Sequence, residues 1–302
     1  MRFVVVRRAE GYGWEVVVGP VQVTTQALAL LLDRGIDVSF LTGRGRLRGS
    51  LVSTASRNVY LRLAQFDRFR DEPFRLALSR QVVEGKLLVQ RRLLARYARN
   101  HPDRLEPDCV DQIRALEARV AAAESVETAR GLEGAGAAIY YRQFGRMLTT
   151  VGFPGRKKHP STDPANALLS LGYVLVGNEL AALAEAQGFD PAIGFFHGIR
   201  YGRQSLALDL VEVFRQPIVD RLTLRLLNRG QLTPKDFEGG DTGLRLAPEA
   251  LKRYFGYYED HLRSPSEGDG SPTWRDRLAG KIDELRGMVM EGRVSPAAVW
   301  SG

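Results

Sequence analysis

Residues 74–100 read FRLALSRQVVEGKLLVQRRLLARYARN, and the reading of this stretch decides the fold. Phe74, Leu76–Leu78, Val82–Val83, Leu87–Leu88 and Leu93–Leu94 recur at the spacing of one helix face. Arg80, Lys86, Arg91, Arg92, Arg96 and Arg99 stand between them, giving the helix a basic polar side. The period begins near Arg68 and holds to Asn100, predicting one long helix. C-terminal to it the same period predicts helices over Cys109–Arg130, Glu133–Thr150, Pro164–Gln187, Ser205–Asn228, Pro248–Arg263 and Thr273–Met290. Joints bearing Gly or Pro separate them, at Gly131, Gly152-Phe153-Pro154-Gly155, Gly188 to Gly202 and Gly239-Gly240.

N-terminal to residue 68 the pattern changes. Phe3–Val6, Glu15–Val18, Val21–Val23 and Ile36–Leu41 are β-branched or alternating runs and read as strands, with another possible strand reaching Ser53. A short helix, Gln26–Arg34, is capped by Thr24-Thr25 and ended by Gly35. The expected class is therefore α+β. A small N-terminal β-rich domain spans 1–67, a larger all-α domain spans 68–263, and a linker with a C-terminal helix spans 264–302. The linker, SPSEGDGSP over 264–272, is flexible by composition.

The chain's 302 residues suit one small and one larger unit. With 44% hydrophobic and 26% charged residues it belongs to the ordinary globular class. No run of apolar residues approaches the ~20 needed to span a bilayer, and the start is too quickly charged for a signal peptide. A cytoplasmic location with no membrane partner is expected. The single cysteine, Cys109, excludes an internal disulfide, a zinc ribbon and a four-cysteine cluster. A metal here must be held by carboxylates and imidazole.

The net charge of +8 is unevenly spread: residues 1–100 carry 18 Lys+Arg against 8 Asp+Glu, and the rest carry 25 against 27. Arginine dominates, and its planar fork suits phosphate. Charge by itself does not separate DNA from RNA, nor a binding surface from a generally Arg-rich composition.

Three groups of polar residues stand in apolar or glycine-rich surroundings. Glu133 opens a predicted helix within Gly131-Leu132-Glu133-Gly134-Ala135-Gly136; read singly, it is equally a first-turn Glu favoured by the helix dipole. His197 follows Gly194-Phe195-Phe196, where a lone imidazole is as readily a hydrogen-bonded core residue as a ligand. Asp209 and Glu212, three residues apart, share one helix face inside an apolar run, and Pro217 should kink or end that helix a turn later. Two carboxylates and an imidazole suit a hard divalent ion, with the imidazole favouring Mn2+ over a purely oxygen-ligated Mg2+ site. Zinc stays chemically open. The loop Gly152 to Pro160 carries three consecutive cations, Arg156, Lys157 and Lys158, which fit either a solvated turn or a phosphate contact. Nothing matches a phosphate-binding Walker loop, and Gly43 to Gly49 lacks the spacing and the α/β context of a dinucleotide loop.

Several segments carry a resemblance when taken in order. They are Leu132-Glu133-Gly134 with Ala137-Ala138 and Tyr140-Tyr141; Asp163-Pro164-Ala165-Asn166-Ala167-Leu168-Leu169 leading to Gly172-Tyr173; Gly194-Phe195-Phe196-His197; and Ser205-Leu206 with Asp209-Leu210-Val211-Glu212-Val213-Phe214-Arg215. Over roughly residues 1–262 the chain resembles the CRISPR-associated (Cas) endonuclease and integrase family of spacer acquisition. The resemblance implies a homodimer whose small β domain serves dimerisation and partner contacts, and a helical catalytic domain. It implies a Mg2+ or Mn2+ site made by Glu133, His197 and Glu212, with Asp209 as an accessory group; some members have Asp where Glu212 stands. The implied chemistry is attack of a DNA 3′-hydroxyl on a phosphodiester of the CRISPR repeat. The implied partners are double-stranded DNA, both spacer precursor and repeat, and a small ferredoxin-fold protein bridging two dimers. Some members also use an iron–sulfur trimming nuclease, whose cluster this chain cannot contain. Arg156, Lys157 and Lys158 of the loop and Arg91, Arg92 and Arg96 of the long helix are the expected DNA contacts. Two other readings remain: a metal nuclease acting on branched DNA in repair, and a non-catalytic basic nucleic-acid scaffold.

Overall fold

A computed structural model of the chain describes residues 3–9, 12–18, 21–41, 47–51, 58–157, 160–239 and 243–295. The N-terminal part holds a four-stranded sheet of β1 (Phe3–Ala9), β2 (Tyr12–Val18), β3 (Ile36–Leu41) and β4 (Leu47–Leu51), in that spatial order. β1 and β2 pair antiparallel, with Phe3 opposite Val18. β2 and β3 pair parallel, which requires a crossover between them. The crossover is α1 (Thr25–Asp33), capped by Thr24, whose Oγ1 accepts the Ala27 N–H at 3.2 Å. The chain leaves the sheet to make this crossover, so Val21–Val23, expected as a strand, is not one. β3 and β4 pair antiparallel. The possible strand up to Ser53 falls partly outside the described residues, and Gly43 to Arg46 lie wholly outside them.

The remainder is helical. The expected helix from Arg68 to Asn100 is divided at Asp71 into α2 (Val59–Arg70) and α3 (Glu72–Asn100). Asp71 Oδ1 accepts the Phe74 N–H at 3.2 Å, and Pro73 in the first turn needs no partner for a missing N–H. α3, with 29 residues, is roughly 40 Å long and packs against α4 (Cys109–Ala121) and α5 (Val126–Met147). The expected break at Gly131 is absent: α5 begins five residues earlier, where Ser125 Oγ accepts the Thr128 N–H at 3.0 Å. Glu133 therefore lies inside a helix instead of opening one. Of its glycines Gly136 serves packing, since a Cβ there would collide with the Leu87 side chain of α3.

α6 (Pro164–Gln187) has its expected bounds, capped by Asp163 and closed by Gly188 at φ 106°. By length and composition α6 could cross a bilayer, but 56% of its most apolar window is buried inside the protein, as in a core helix. α7 (Ser205–Val211), a π-helical segment (Arg215–Asp220) and α8 (Arg221–Asn228) replace the single helix expected over 205–228. Pro217 cannot donate to the regular ladder, and the wider turn accommodates it. A two-residue hairpin, β5 (Phe237–Glu238) with β6 (Arg245–Leu246), precedes α9 (Pro248–Arg263). The stretch expected as a flexible linker folds into a closed turn, with Ser266 N donating to Pro272 O at 3.0 Å and Pro265 bridging Thr273. α10 (Trp274–Glu291) then packs on α2, α6 and α9. Tyr140, Phe144, Phe195, Phe214, Tyr254 and Tyr258 are fully buried in the continuous core these helices share.

Candidate active site

The loop carrying His197 is fixed from below by α7. Asp209, 2% exposed, accepts the backbone N–H of Phe195 and Phe196 on Oδ2 at 2.6 and 3.0 Å. Its Oδ1 accepts the His197 N–H at 2.9 Å and lies 2.7 Å from His197 Nδ1. A carboxylate only accepts, so Nδ1 carries the hydrogen, and the neutral form of the ring presents its lone pair on Nε2. The loop passes so close to α7 that a Cβ on Gly194 would lie 2.6 Å from the Ser205 carbonyl group.

Glu212 follows one turn after Asp209 and is also 2% exposed. Its Oε1 lies 2.9 Å from Arg215 Nη2 and 3.8 Å from His197 Nε2, and its Oε2 lies 2.7 Å from Lys86 Nζ. Lys86, buried on α3, also pairs with Glu133 Oε1 of α5. Burial would raise the Glu212 carboxyl, but Arg215, Lys86 and His197 outweigh it and hold the pKa at about 2. Burial would likewise depress Lys86, but Glu212 and Glu133 outweigh both it and the repulsion of Arg215, and its pKa is raised.

Glu133 and Glu212 thus share one buried ammonium, and His197 Nε2 approaches the other oxygen of Glu212. Among the described residues no three His, Cys, Asp or Glu side chains form a ready coordination shell, because Lys86 Nζ stands between the two carboxylates. The donors nonetheless suit a divalent cation. Glu212 stands between the imidazole nitrogen on one oxygen and Lys86 on the other, Glu133 shares that Lys86, and the ammonium marks the point where positive charge is already drawn in.

A cleft of about 640 Å³ opens from this point, lined by Lys86, Glu133, Tyr141, Arg142, Arg156 and Arg215 among others. Asn166 fixes the glycine-bearing loop on its rim. Its Oδ1 accepts from Lys157 N at 2.9 Å and Arg156 Nη1 at 2.8 Å, while its Nδ2 donates to Gly155 O at 2.8 Å. Arg156 and Arg215 both lie over the Tyr173 ring, at 5.4 and 4.7 Å from its centroid.

The other expected DNA contacts are dispersed. Arg156 faces the cleft, Lys157 is exposed, and Lys158 lies outside the described residues. Arg91 is held by Glu117 at 2.7 Å, whereas Arg92 and Arg96 are exposed. Lys86 was legible only as one cation in a basic row. Its true position could have been found from spacing, because Val82, Val83, Lys86, Leu87 and Gln90 share one buried stripe of α3. Arg215 and Tyr173 were visible only as members of motifs, and no local signal placed one beneath the other.

A family model described as CRISPR associated protein Cas1 matches residues 15–260. The chain is 34% identical over 248 residues to the CRISPR-associated endonuclease Cas1 3 of Thermus thermophilus, covering 82% of this chain and 72% of that protein. Among solved structures, a casposase bound to its integration product shares the fold at 22% identity, with a TM-score of 0.81 over 99% of this chain and 88% of that one. A chain of a Cas6-RT-Cas1–Cas2 complex matches at 27% identity and a TM-score of 0.77, covering 92% of this chain and 31% of that longer one.

Proposed function

The chain belongs to the CRISPR-associated protein Cas1 family, and from that premise we propose that it is a metal-dependent DNA endonuclease and integrase. It joins new spacers to a CRISPR array by attack of a DNA 3′-hydroxyl on a phosphodiester at the repeat. One observation carries this reading: Lys86 and Glu133 line an arginine-rimmed cleft, Lys86 pairs with both Glu133 and Glu212, and His197 Nε2 lies 3.8 Å from Glu212.

Glu133, Glu212 and His197 Nε2 would hold Mg2+ or Mn2+. When bound, that ion supplies Lewis-acid polarisation of the phosphoryl group and stabilises charge on the attacking and leaving oxygens. Asp209 keeps the imidazole in the tautomer and orientation that present Nε2. Lys86 balances the two carboxylates while no ion is held. Arg156 and Arg215 face the cleft as phosphate donors, strong because they are charged and held in place. The substrates are double-stranded spacer precursor and repeat DNA, and the exposed Arg92 and Arg96 add backbone contacts without reading bases. The named complex with Cas2 supports a small ferredoxin-fold partner for this chain too. In this reading the N-terminal domain over 1–67 serves homodimerisation and that partner, the helical domain over 68–263 carries the chemistry, and the protein works in the cytoplasm, in some systems beside an iron–sulfur trimming nuclease.

The test incubates a 3′-hydroxyl duplex with supercoiled repeat-bearing DNA and Mn2+. Wild-type protein should give joined product, and Glu133→Ala, His197→Ala and Glu212→Ala should each lower it about 10²-fold or more. Cleavage with no joined product would replace integration by branched-DNA nuclease chemistry. Joining that survives Glu133→Ala would overturn the site.

A further inference from the structure

A line of hydroxyl groups runs from the cleft into the core. Tyr141 lines the cleft, and its hydroxyl lies 2.9 Å from that of Tyr173. The Tyr173 hydroxyl lies 2.6 Å from Asp220 Oδ1, and the Tyr140 hydroxyl lies 2.7 Å from Asp220 Oδ2. The directions follow by elimination. An ionised carboxylate accepts only, so Tyr173 and Tyr140 donate to Asp220. Each phenol has one hydrogen, so Tyr141 must be the donor to Tyr173. Every hydrogen then points inward, and the Tyr141 oxygen is left as an acceptor towards the cleft.

Asp220 itself is unusual. It is fully buried on the π-helical segment, and no ion pair to it exists among the described residues; its direct partners there are the two phenols. Tyr140 approaches from α5, Tyr173 from α6, Arg156 from the cleft loop and Arg215 from its own segment. Burial outweighs the favourable pull of all four and raises the carboxyl to about 6. Burial also raises Tyr173 well above its ordinary value and raises Tyr141. Neither phenol is therefore a resting place for negative charge, and a proton must pass through both in concert.

We propose that Tyr141, Tyr173 and Asp220 form a proton relay that carries the proton of the attacking hydroxyl out of the cleft into the buried carboxylate. The inference rests on the strand-transfer reading above. As the 3′-oxygen forms its bond to phosphorus, its proton moves to the Tyr141 oxygen. The Tyr141 proton moves to Tyr173, and the Tyr173 proton moves to Asp220 Oδ1. Both phenols end neutral and Asp220 ends as the acid. The phosphorus–oxygen bond to the leaving strand breaks with its electron pair on the departing 3′-oxygen, which takes a proton from solvent. Reverse hops return the Asp220 proton to solvent between turnovers. Tyr141 is the catalytic residue here, and Tyr173 and Asp220 act through it.

Tyr173→Phe removes the one oxygen that joins the chain while keeping the ring beneath both arginines. It should lower the joining rate about 10²-fold with unchanged DNA affinity. Wild-type rate should fall below pH about 6, where the acceptor is already protonated, and Tyr173→Phe should lose that acid limb. Infrared spectroscopy of the metal-free protein supplies a readout independent of turnover. A carboxylic-acid band should grow as pH falls through about 6, vanish in Asp220→Asn, and appear at higher pH in Tyr173→Phe, which has lost a donor to the anion. The relay is overturned if Glu133→Ala abolishes joining but Tyr173→Phe leaves the rate and pH profile unchanged; the metal-site reading then stands. If wild-type protein joins no DNA, that reading fails, and absence of the infrared band still overturns the relay on its own.

Discussion

Lys86 lies 2.7 Å from Glu212 Oε2 and also pairs with Glu133, with 4% of its side chain exposed. Removing the ammonium leaves the buried Glu212 carboxylate and the partly exposed Glu133 carboxylate without their shared partner, an arrangement that costs up to about 3–5 kcal/mol. Lys86→Met should therefore lower the metal-free melting temperature, and Mn2+ should restore more of it than it adds to wild type. Equal responses to Mn2+ would show that no cation takes the place of Lys86. Asp209 acts at the same scale through four accepted hydrogen bonds. Asp209→Asn turns one acceptor into a donor among donors, and should lower joining by about 10–100-fold. Asp220 gives a pH signature. Its carboxyl is raised from 3.8 to about 6, so the folded protein holds that proton more tightly than the unfolded chain does. The resulting stability is complete below about 3.8 and is lost as pH rises through about 6. Asp220→Asn, always neutral, should gain on wild type by on the order of 1–3 kcal/mol between pH 4 and pH 7.5, as read by denaturant unfolding.

At the scale of elements, α3 and α5 must approach closely for Glu133 to reach Lys86, and Gly136 allows it. Gly136→Leu should push the helices apart, costing about 1–3 kcal/mol and reducing joining together with stability. Which elements were legible follows from the same physics. α6 and α9 carry an apolar period bounded by Pro at one end, so their limits were readable. The start of α5 was misplaced because Gly131 looks like punctuation in sequence, whereas in the structure it lies exposed inside a continuous helix capped at Ser125. The π-helical segment at Pro217 was foreseen as an interruption but not as a wider turn that continues the helical path. That outcome depends on what packs around it, including His261 Nε2 on the Pro217 carbonyl at 3.0 Å.

Across the whole molecule, the excess of positive charge in residues 1–100 meets the near-neutral remainder at the cleft, where Lys86 of α3 faces Arg156 and Arg215. DNA affinity should fall linearly with the logarithm of salt concentration. Replacing Arg96 with Ala should reduce that slope by about 1 if it contacts one phosphate; an unchanged slope would remove it from the interface. The sequence named Glu133, His197 and Glu212 through ordered motifs. It could not show how they are placed, because each lies on a different piece of backbone and only the packed helices bring Glu133 to Lys86 and His197 to Glu212. Spacing puts Lys86 on the buried stripe of α3 but does not show which carboxylates it meets there. The most direct test of this convergence is Mn2+ binding followed by electron paramagnetic resonance on metal-free protein. The account predicts one tight site per chain, weakened about 10²-fold by each of Glu133→Ala, His197→Ala and Glu212→Ala and untouched by Arg96→Ala. Unchanged affinity and stoichiometry in all three variants would contradict it.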